Sequence, residues 1–263
     1  MRIYSNCKEL MSEMGRELNS YGLIVKPKTY QNKVIEGNEE MVTKELICQQ
    51  YCLTNMPDAE FLFIYTHTYE WAEAEFNERV SGRIINPGKA WELNKDMWEE
   101  FLIPDPIFKG RRKFDYTYAE RINYPVIDPM VPDTHCSKLD AIVKLLRNDP
   151  DTRKAVLAIY GIGPNGSSDA DHYNGDARIP CSMYYDFLIR WNGKGEKQLN
   201  ICYHQRSSDF IGHFGDDVYL AFKLMEYISN EVGVLPGYLY HTIDSLHAYK
   251  RDWEKLRSNV EDM

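Results

Sequence analysis

Cys181 follows a proline in ARIPCSMYYDF, and Gln205-Arg206-Ser207 closes the next apolar run, QLNICYHQRS. A cysteine attacks as its thiolate, and a neighbouring cation lowers the thiol pKa. Pro180 fixes the chain's entry into a strand. If runs 183–191 and 198–207 pair as a hairpin across WNGKGEK, the Arg206 guanidinium comes near the Cys181 sulfur. The stretch YHQRSSDFIGHFGDDVY (203–219) then sets Asp209, Asp216 and Asp217 directly ahead of a helical apolar period. Simpler readings exist for each group. Cys181 alone reads as a small buried hydrophobe, and Asp216-Asp217 as a helix cap with a first-turn carboxylate on the dipole. A chain that only had to fold would not need the whole constellation.

The elements that must position these groups follow from periodicity. Helices are expected over about 5–20, with Leu10, Met14 and Leu18 on one face, over about 57–80, and over 136–149. Residues 84–135 read as irregular, rich in proline and aromatics. Runs 155–162, 183–191, 198–207 and 238–249 read as strands. DDVYLAFKLMEYISNEV (216–232) reads as a helix capped by Asp216. Helices first, then strands meeting around one long helix, predict an α+β fold in a single domain spanning 1–263. Gly161-Ile-Gly163-Pro-Asn-Gly166 matches G-x-G-x-x-G, but SSDADHYNGD after it opens no helix. The pyrophosphate seat that explains such glycines is therefore missing, and the stretch reads as a loop.

Composition narrows the classes. Of 263 residues, 43% are hydrophobic and 13% aromatic, which is globular rather than disordered. A net charge of −9 argues against general nucleic-acid binding, which needs clustered cations. The basic run KGRRK (109–113) reads as a solvated loop. No apolar run is long enough for a membrane span and no signal peptide is evident, so a cytoplasmic location is expected. Six scattered cysteines read as free thiols. Cys48 and Cys52 are spaced as on one helical turn but lack a second ligand pair, so no metal is expected.

Taken together, Pro180-Cys181, Gln205-Arg206-Ser207-Ser208-Asp209 and His247-Ala248-Tyr249 resemble the thymidylate synthase family. DPDTRK (149–154) is similar to the family's arginine-bearing element. AEAEFNERVSG (72–82) is similar to its catalytic-glutamate helix, with the spacing to Gly82 selecting Glu75. YAER (118–121) resembles its active-site tyrosine segment. The match runs in order over roughly 70–250. It implies a mixed β-sheet packed with helices and a homodimer formed through that sheet. It also implies a reaction: Cys181 adds to C6 of a pyrimidine nucleoside monophosphate, and C5 takes a one-carbon unit from 5,10-methylenetetrahydrofolate. By the same resemblance Arg206, Ser207 and Gln205 bind the nucleotide, with Arg153 and Lys154 reaching its phosphate across the dimer. His247 and Tyr249 hold the sugar, Asp209 and Trp98 meet the folate, and Glu75 and Tyr118 serve proton transfer.

The departures from the family pattern carry the specificity. Asp217 stands where the family has an asparagine that reads uracil. Cytosine reverses the pattern at N3 and C4, which a protonated carboxyl matches and an asparagine in its family orientation does not. An aspartate here, with the DHYNGD insertion, resembles the phage deoxycytidylate hydroxymethylase branch, linked to DNA modification in a host cytoplasm. Ser182 replaces a histidine and His213 a glycine. Only residues 250–263 follow Tyr249, so no long closing segment is expected over the folate, which favours water over hydride transfer. Lys154 keeps a charge where the family has a second arginine, without its fork. Lys26 and Lys28 are the candidates for an N-terminal phosphate ligand. The expected activity is hydroxymethylation of dCMP. Methylation of dUMP or dCMP, hydroxymethylation of dUMP or CMP, and nucleotide or RNA binding without chemistry are the alternatives.

Overall fold

The computed structural model describes residues 1–65, 68–163 and 166–262. Its centre is an eight-stranded mixed sheet. In chain order the strands are β1 (Arg2–Tyr4), β2 (Leu23–Val25), β3 (Thr43–Leu53), β4 (Val156–Ala158), β5 (Ser182–Trp191), β6 (Lys197–Gln205), β7 (Ser208–Asp209) and β8 (Leu235–Tyr249). They lie side by side as β1-β3-β8-β6-β5-β4, with β2 against β3 and β7 against β8. β8 runs parallel to β6 and antiparallel to β3, while β5 and β6 form the expected antiparallel hairpin. This is the α+β architecture expected from the sequence.

One face of the sheet is covered by helices α1 (Cys7–Tyr21) and α5 (Phe214–Val232). α1 is capped by Asn6, whose side chain accepts from the Glu9 amide. α5 ends at Gly233, whose positive φ of 74° suits a glycine C-cap. Gly215 near its start lies so close to Leu62 that an added Cβ would stand 1.8 Å from the Leu62 carbonyl oxygen. The remaining α-helices of more than four residues are α2 (Tyr69–Arg79), α3 (Tyr118–Asn123), α4 (Lys138–Asn148) and α6 (Trp253–Asp262). The opposite sheet face leaves Ile47, Tyr184 and Tyr238 exposed.

Several elements differ from expectation. β3 is an 11-residue strand beside β8, so strands do not wait for the second half of the chain. Its buried positions shift parity from Leu46 to Tyr51 and Leu53, with Cys48 between them at φ 53°. That shift destroys the period-2 signal. Cys48 and Cys52 therefore lie on a strand, not on a helix. The helix expected over 57–80 is a 3₁₀ segment, Ala59–Phe63, followed by α2. α5 begins at Phe214, so Asp216 sits in its first turn and is not its cap. The strand expected over 155–162 narrows to β4. Residues 84–135 are built of short pieces, as expected. In the G-x-G-x-x-G stretch Pro164 and Asn165 lie outside the described residues, and the next element is a short 3₁₀ turn, Asp169–His172, not a helix. The KGRRK arginines are tied down: Arg111 bonds the Asn86 carbonyl, and Arg112 donates to the Glu99 and Leu102 carbonyls at 3.0 and 3.3 Å. Among the described residues no helix is long and apolar enough to cross a membrane.

Candidate active site

The hairpin does what its spacing required. Ser182 pairs with Gln205, so the residues just outside the ladder, Cys181 and Arg206, lie side by side. The Arg206 amide donates to the Cys181 carbonyl at 2.9 Å. Its Nε donates to the Pro180 carbonyl at 2.9 Å, and an Nη sits 3.8 Å from Cys181 Sγ while donating to the Ile179 carbonyl at 3.1 Å. The guanidinium is thus clamped by backbone before any ligand arrives. Its effect on the thiol is smaller than the sequence implied. Burial pushes the Cys181 pKa up, Arg206 opposes it, Asp217 adds to it, and Arg178 again opposes. Desolvation outweighs the cations, so the net shift is upward and not the expected lowering.

Cys181 and Arg206 open onto a cavity of about 360 Å³. α2 sends Glu75 into it, and α3 sends Tyr118 from its first helical position. Thr117 and Glu120 form a capping box that fixes where α3 starts. β7 and the end of β8 contribute Asp209, His247 and Tyr249, and Ser207 and Trp98 also line the wall. Burial raises the Asp209 pKa, with His247 opposing. Trp98 packs against His213 with ring centroids 5.6 Å apart. An aromatic wall with a carboxylate beside it fits a flat heterocycle with ring N–H donors.

Asp217, in the first turns of α5, faces the same cavity. Its Oδ2 accepts from Gln205 Nε2 at 2.8 Å and from Ser208 Oγ at 3.0 Å. Burial pushes its pKa up to about 6, against the pull of those two hydrogen bonds. Ser182, in place of the family's histidine, bonds Tyr118 at 3.2 Å and Tyr203 at 2.6 Å.

Three groups of expected residues stand elsewhere. Gln205 is fully buried behind Asp217 and does not line the cavity. Arg153 and Lys154 are exposed and do not reach this chain's cavity. Lys26 and Lys28 pair with Glu39 and Glu36 at 3.2 and 3.1 Å, away from it.

Two cavity cations were missed. Arg79 donates to Glu75 at 2.9 Å and lies over the Tyr118 ring at 4.2 Å. Its i,i+4 spacing from Glu75 was a readable signal. Arg178 is 7% exposed, and its guanidinium lies among Trp98, Phe101, Phe114 and Tyr116 at 4.7–6.0 Å. Its Nε donates to Gln31 at 3.3 Å, and no carboxylate pairs with it among the described residues. No spacing announces it, because its cage is assembled from distant loops.

Comparison with known proteins agrees with this geometry. The chain matches the thymidylate synthase family profile over residues 87–262. A Methanococcoides burtonii protein provisionally named thymidylate synthase is 26% identical over 177 residues, covering 67% of this chain and 71% of that protein. The deoxyuridylate hydroxymethyltransferase of Bacillus phage SP01 is 32% identical over 172 residues, covering 62% of this chain and 39% of that protein. The solved structure of the thermostable thymidylate synthase A of Bacillus subtilis superposes with a TM-score of 0.69 at 14% identity, covering 98% of this chain and 84% of the other. That likeness is one of fold.

Proposed function

The chain belongs to the thymidylate synthase family, a family of one-carbon transferases, and we propose on that basis that it hydroxymethylates dCMP at C5 with 5,10-methylenetetrahydrofolate. The observation that carries this reading is Asp217: a carboxyl group in the nucleophile's own cavity, with one oxygen held by two donors and a pKa raised to about 6. In its protonated form, the one that would bind, the free oxygen Oδ1 carries a proton toward a ring nitrogen that lacks one. Cytosine N3 is such a nitrogen; uracil N3 is not. Because Oδ2 already accepts two hydrogen bonds, the contact to the base runs mainly through Oδ1, a narrower contact than the two-point pairing the sequence alone implied.

Donation to N3 draws electrons from the ring and makes C6 a better target for the Cys181 thiolate. Arg206, placed beside the sulfur, offers its remaining donors to the nucleotide phosphate. Tyr118, bonded to Ser182 beside the sulfur, and Glu75 take up the C5 proton and order water, with Arg79 fixing the Glu75 carboxylate. The folate supplies the one-carbon unit, and Trp98, Asp209 and His213 are the residues that would hold it. Water, rather than hydride, completes the product. The helix after Tyr249, α6, packs through Leu256 toward Gly15 of α1 and contributes no residue to the cavity wall among the described residues. Arg153 and Lys154, exposed here, would reach the phosphate site of a second copy.

A second reading, hydroxymethylation of dUMP, is favoured by the name of the phage SP01 relative. Incubation with methylenetetrahydrofolate and either dCMP or dUMP, with products read by mass, separates them. Gain of CH₂O on dCMP is expected. Gain on dUMP alone would replace this reading with the second, and gain of CH₂ would establish methylation instead.

A further inference from the structure

Asp217 is the front end of a hydrogen-bond chain that runs back into the sheet. Behind it Gln205 is 0% exposed, its Nε2 on Asp217 Oδ2 and its Oε1 2.8 Å from His241 Nε2. His241, 1% exposed, has its Nδ1 2.8 Å from the Tyr51 hydroxyl, and Tyr51 is 0% exposed. Tyr51, His241 and Tyr203 are register partners on β3, β8 and β6. The imidazole is stacked on Tyr203 at 4.4 Å, which holds the ring in plane.

Such a chain has two self-consistent polarities, and they do opposite things at Asp217. In one, Tyr51 donates to Nδ1, Nε2–H donates to the Gln205 carbonyl oxygen, and the Gln205 amide donates to Oδ2. In the other every donor and acceptor is exchanged: the Asp217 proton sits on Oδ2 and Oδ1 becomes a bare acceptor. The far end decides between them. Tyr51 has one hydroxyl proton, and His241 Nδ1 is the hydrogen-bond partner of that hydroxyl among the described residues. Were Nδ1 the donor, the phenol proton would be left unpaired in the core, at a cost of about 1–3 kcal/mol. Tyr51 therefore donates, and the first polarity results. His241 stays neutral, since burial pushes its pKa down to about 3, so it carries a single N–H to assign.

We propose that Tyr51 and His241 are positioning residues for base selection: they orient the Gln205 amide so that Asp217 Oδ2 is an acceptor and the carboxyl proton is presented on Oδ1 to the base. The proposal rests on the base-reading role of Asp217 given above. Neither residue touches the substrate.

The test uses the ratio of kcat/KM on dCMP to that on dUMP, because a merely structural defect lowers both together. Tyr51→Phe and His241→Leu are expected to reduce the ratio by roughly tenfold, the worth of about one hydrogen bond, with KM for methylenetetrahydrofolate unchanged. His241→Gln retains both a donor and an acceptor and is expected to restore most of the ratio. Independently of any variant, the ¹⁵N spectrum of His241 in the native protein is expected to show a protonated Nε2 and an unprotonated Nδ1 near neutral pH. A protonated Nδ1 overturns the proposal. So does an unchanged ratio in folded Tyr51→Phe and His241→Leu while Asp217→Asn shifts it, an outcome that leaves the base-reading role standing. An unchanged ratio in Asp217→Asn removes both.

Discussion

Asp217 shows how burial and hydrogen bonding set the chemistry of one carboxyl group. Its folded pKa, about 6, lies above the ordinary carboxylate value of 3.8. The folded state therefore holds more protons than the unfolded state between those limits, and this residue's contribution to stability falls as pH rises from about 4 to about 6. An asparagine side chain at this position has no charge to desolvate, so Asp217→Asn is expected to be more stable than the native chain near pH 7.5. The gain is at most ~3 kcal/mol and is absent near pH 4, as thermal melts at the two pH values would show. The same substitution is expected to move preference from dCMP toward dUMP; unchanged relative activity would remove the base-reading role. dCMP affinity is expected to weaken as pH rises above about 6, which calorimetric titration checks. At Cys181 desolvation outweighs the two arginines, so removing either cation raises the thiol pKa further. Arg206→Met is expected to slow alkylation of Cys181 by about tenfold near pH 7.5, and Arg178→Met by less, following the order of their influence. Equal alkylation rates in all three proteins would mean that neither cation acts on the sulfur.

The segment before Cys181 illustrates how an irregular element is held against the cavity. His172 and Tyr173 line the cavity from a 3₁₀ turn with little regular structure around it. The anchor is Asp169, whose oxygens accept from Arg121 at 2.7 and 3.1 Å and from the Gly161 amide at 2.8 Å. Both ionic partners are buried, so the pair is a fixed strut rather than a surface bridge. Asp169→Ala strands the Arg121 guanidinium and is expected to cost about 3–5 kcal/mol, with a raised nucleotide KM. An unchanged melting temperature would show the strut to be dispensable. The sequence displayed DHYNGD as an insertion but not its anchor, because Arg121 lies on α3 and the pairing depends on how α3 packs. β3 escaped the sequence for a related reason: its buried residues follow a parity shift at Cys48, whose φ of 53° no local pattern announces.

The whole molecule presents an uncovered sheet face, with Ile47 65% and Tyr184 40% exposed, and two basic residues, Arg153 and Lys154, that do not line the cavity of their own chain. Both facts fit the proposed homodimer through the sheet, in which Arg153 and Lys154 would reach the partner's phosphate site. Arg153→Ala and Cys181→Ala are each expected to lose most activity. Co-refolding the two inactive variants is expected to restore a fraction of it, since a mixed dimer holds one site with both an intact nucleophile and an intact Arg153. No recovery, in samples shown by sedimentation to be mixed dimers, would place Arg153 outside the site.

The candidate nucleophile and the neighbours the structure sets beside it were legible in the residues alone. Pro180-Cys181, the hairpin to Arg206 and the Asp209–Asp217 run are local, and strand pairing across a short loop brings them together by necessity. Asp217 was legible too as the candidate for reading the base, because it occupies a position defined by a motif. The thiol's pKa, the cage around Arg178 and the polarity of the chain behind Asp217 were decided by tertiary structure. Those depend on desolvation and on side chains contributed by strands and loops far apart in sequence: Tyr51 and His241 stand 190 residues apart and meet only because β3 and β8 are neighbours.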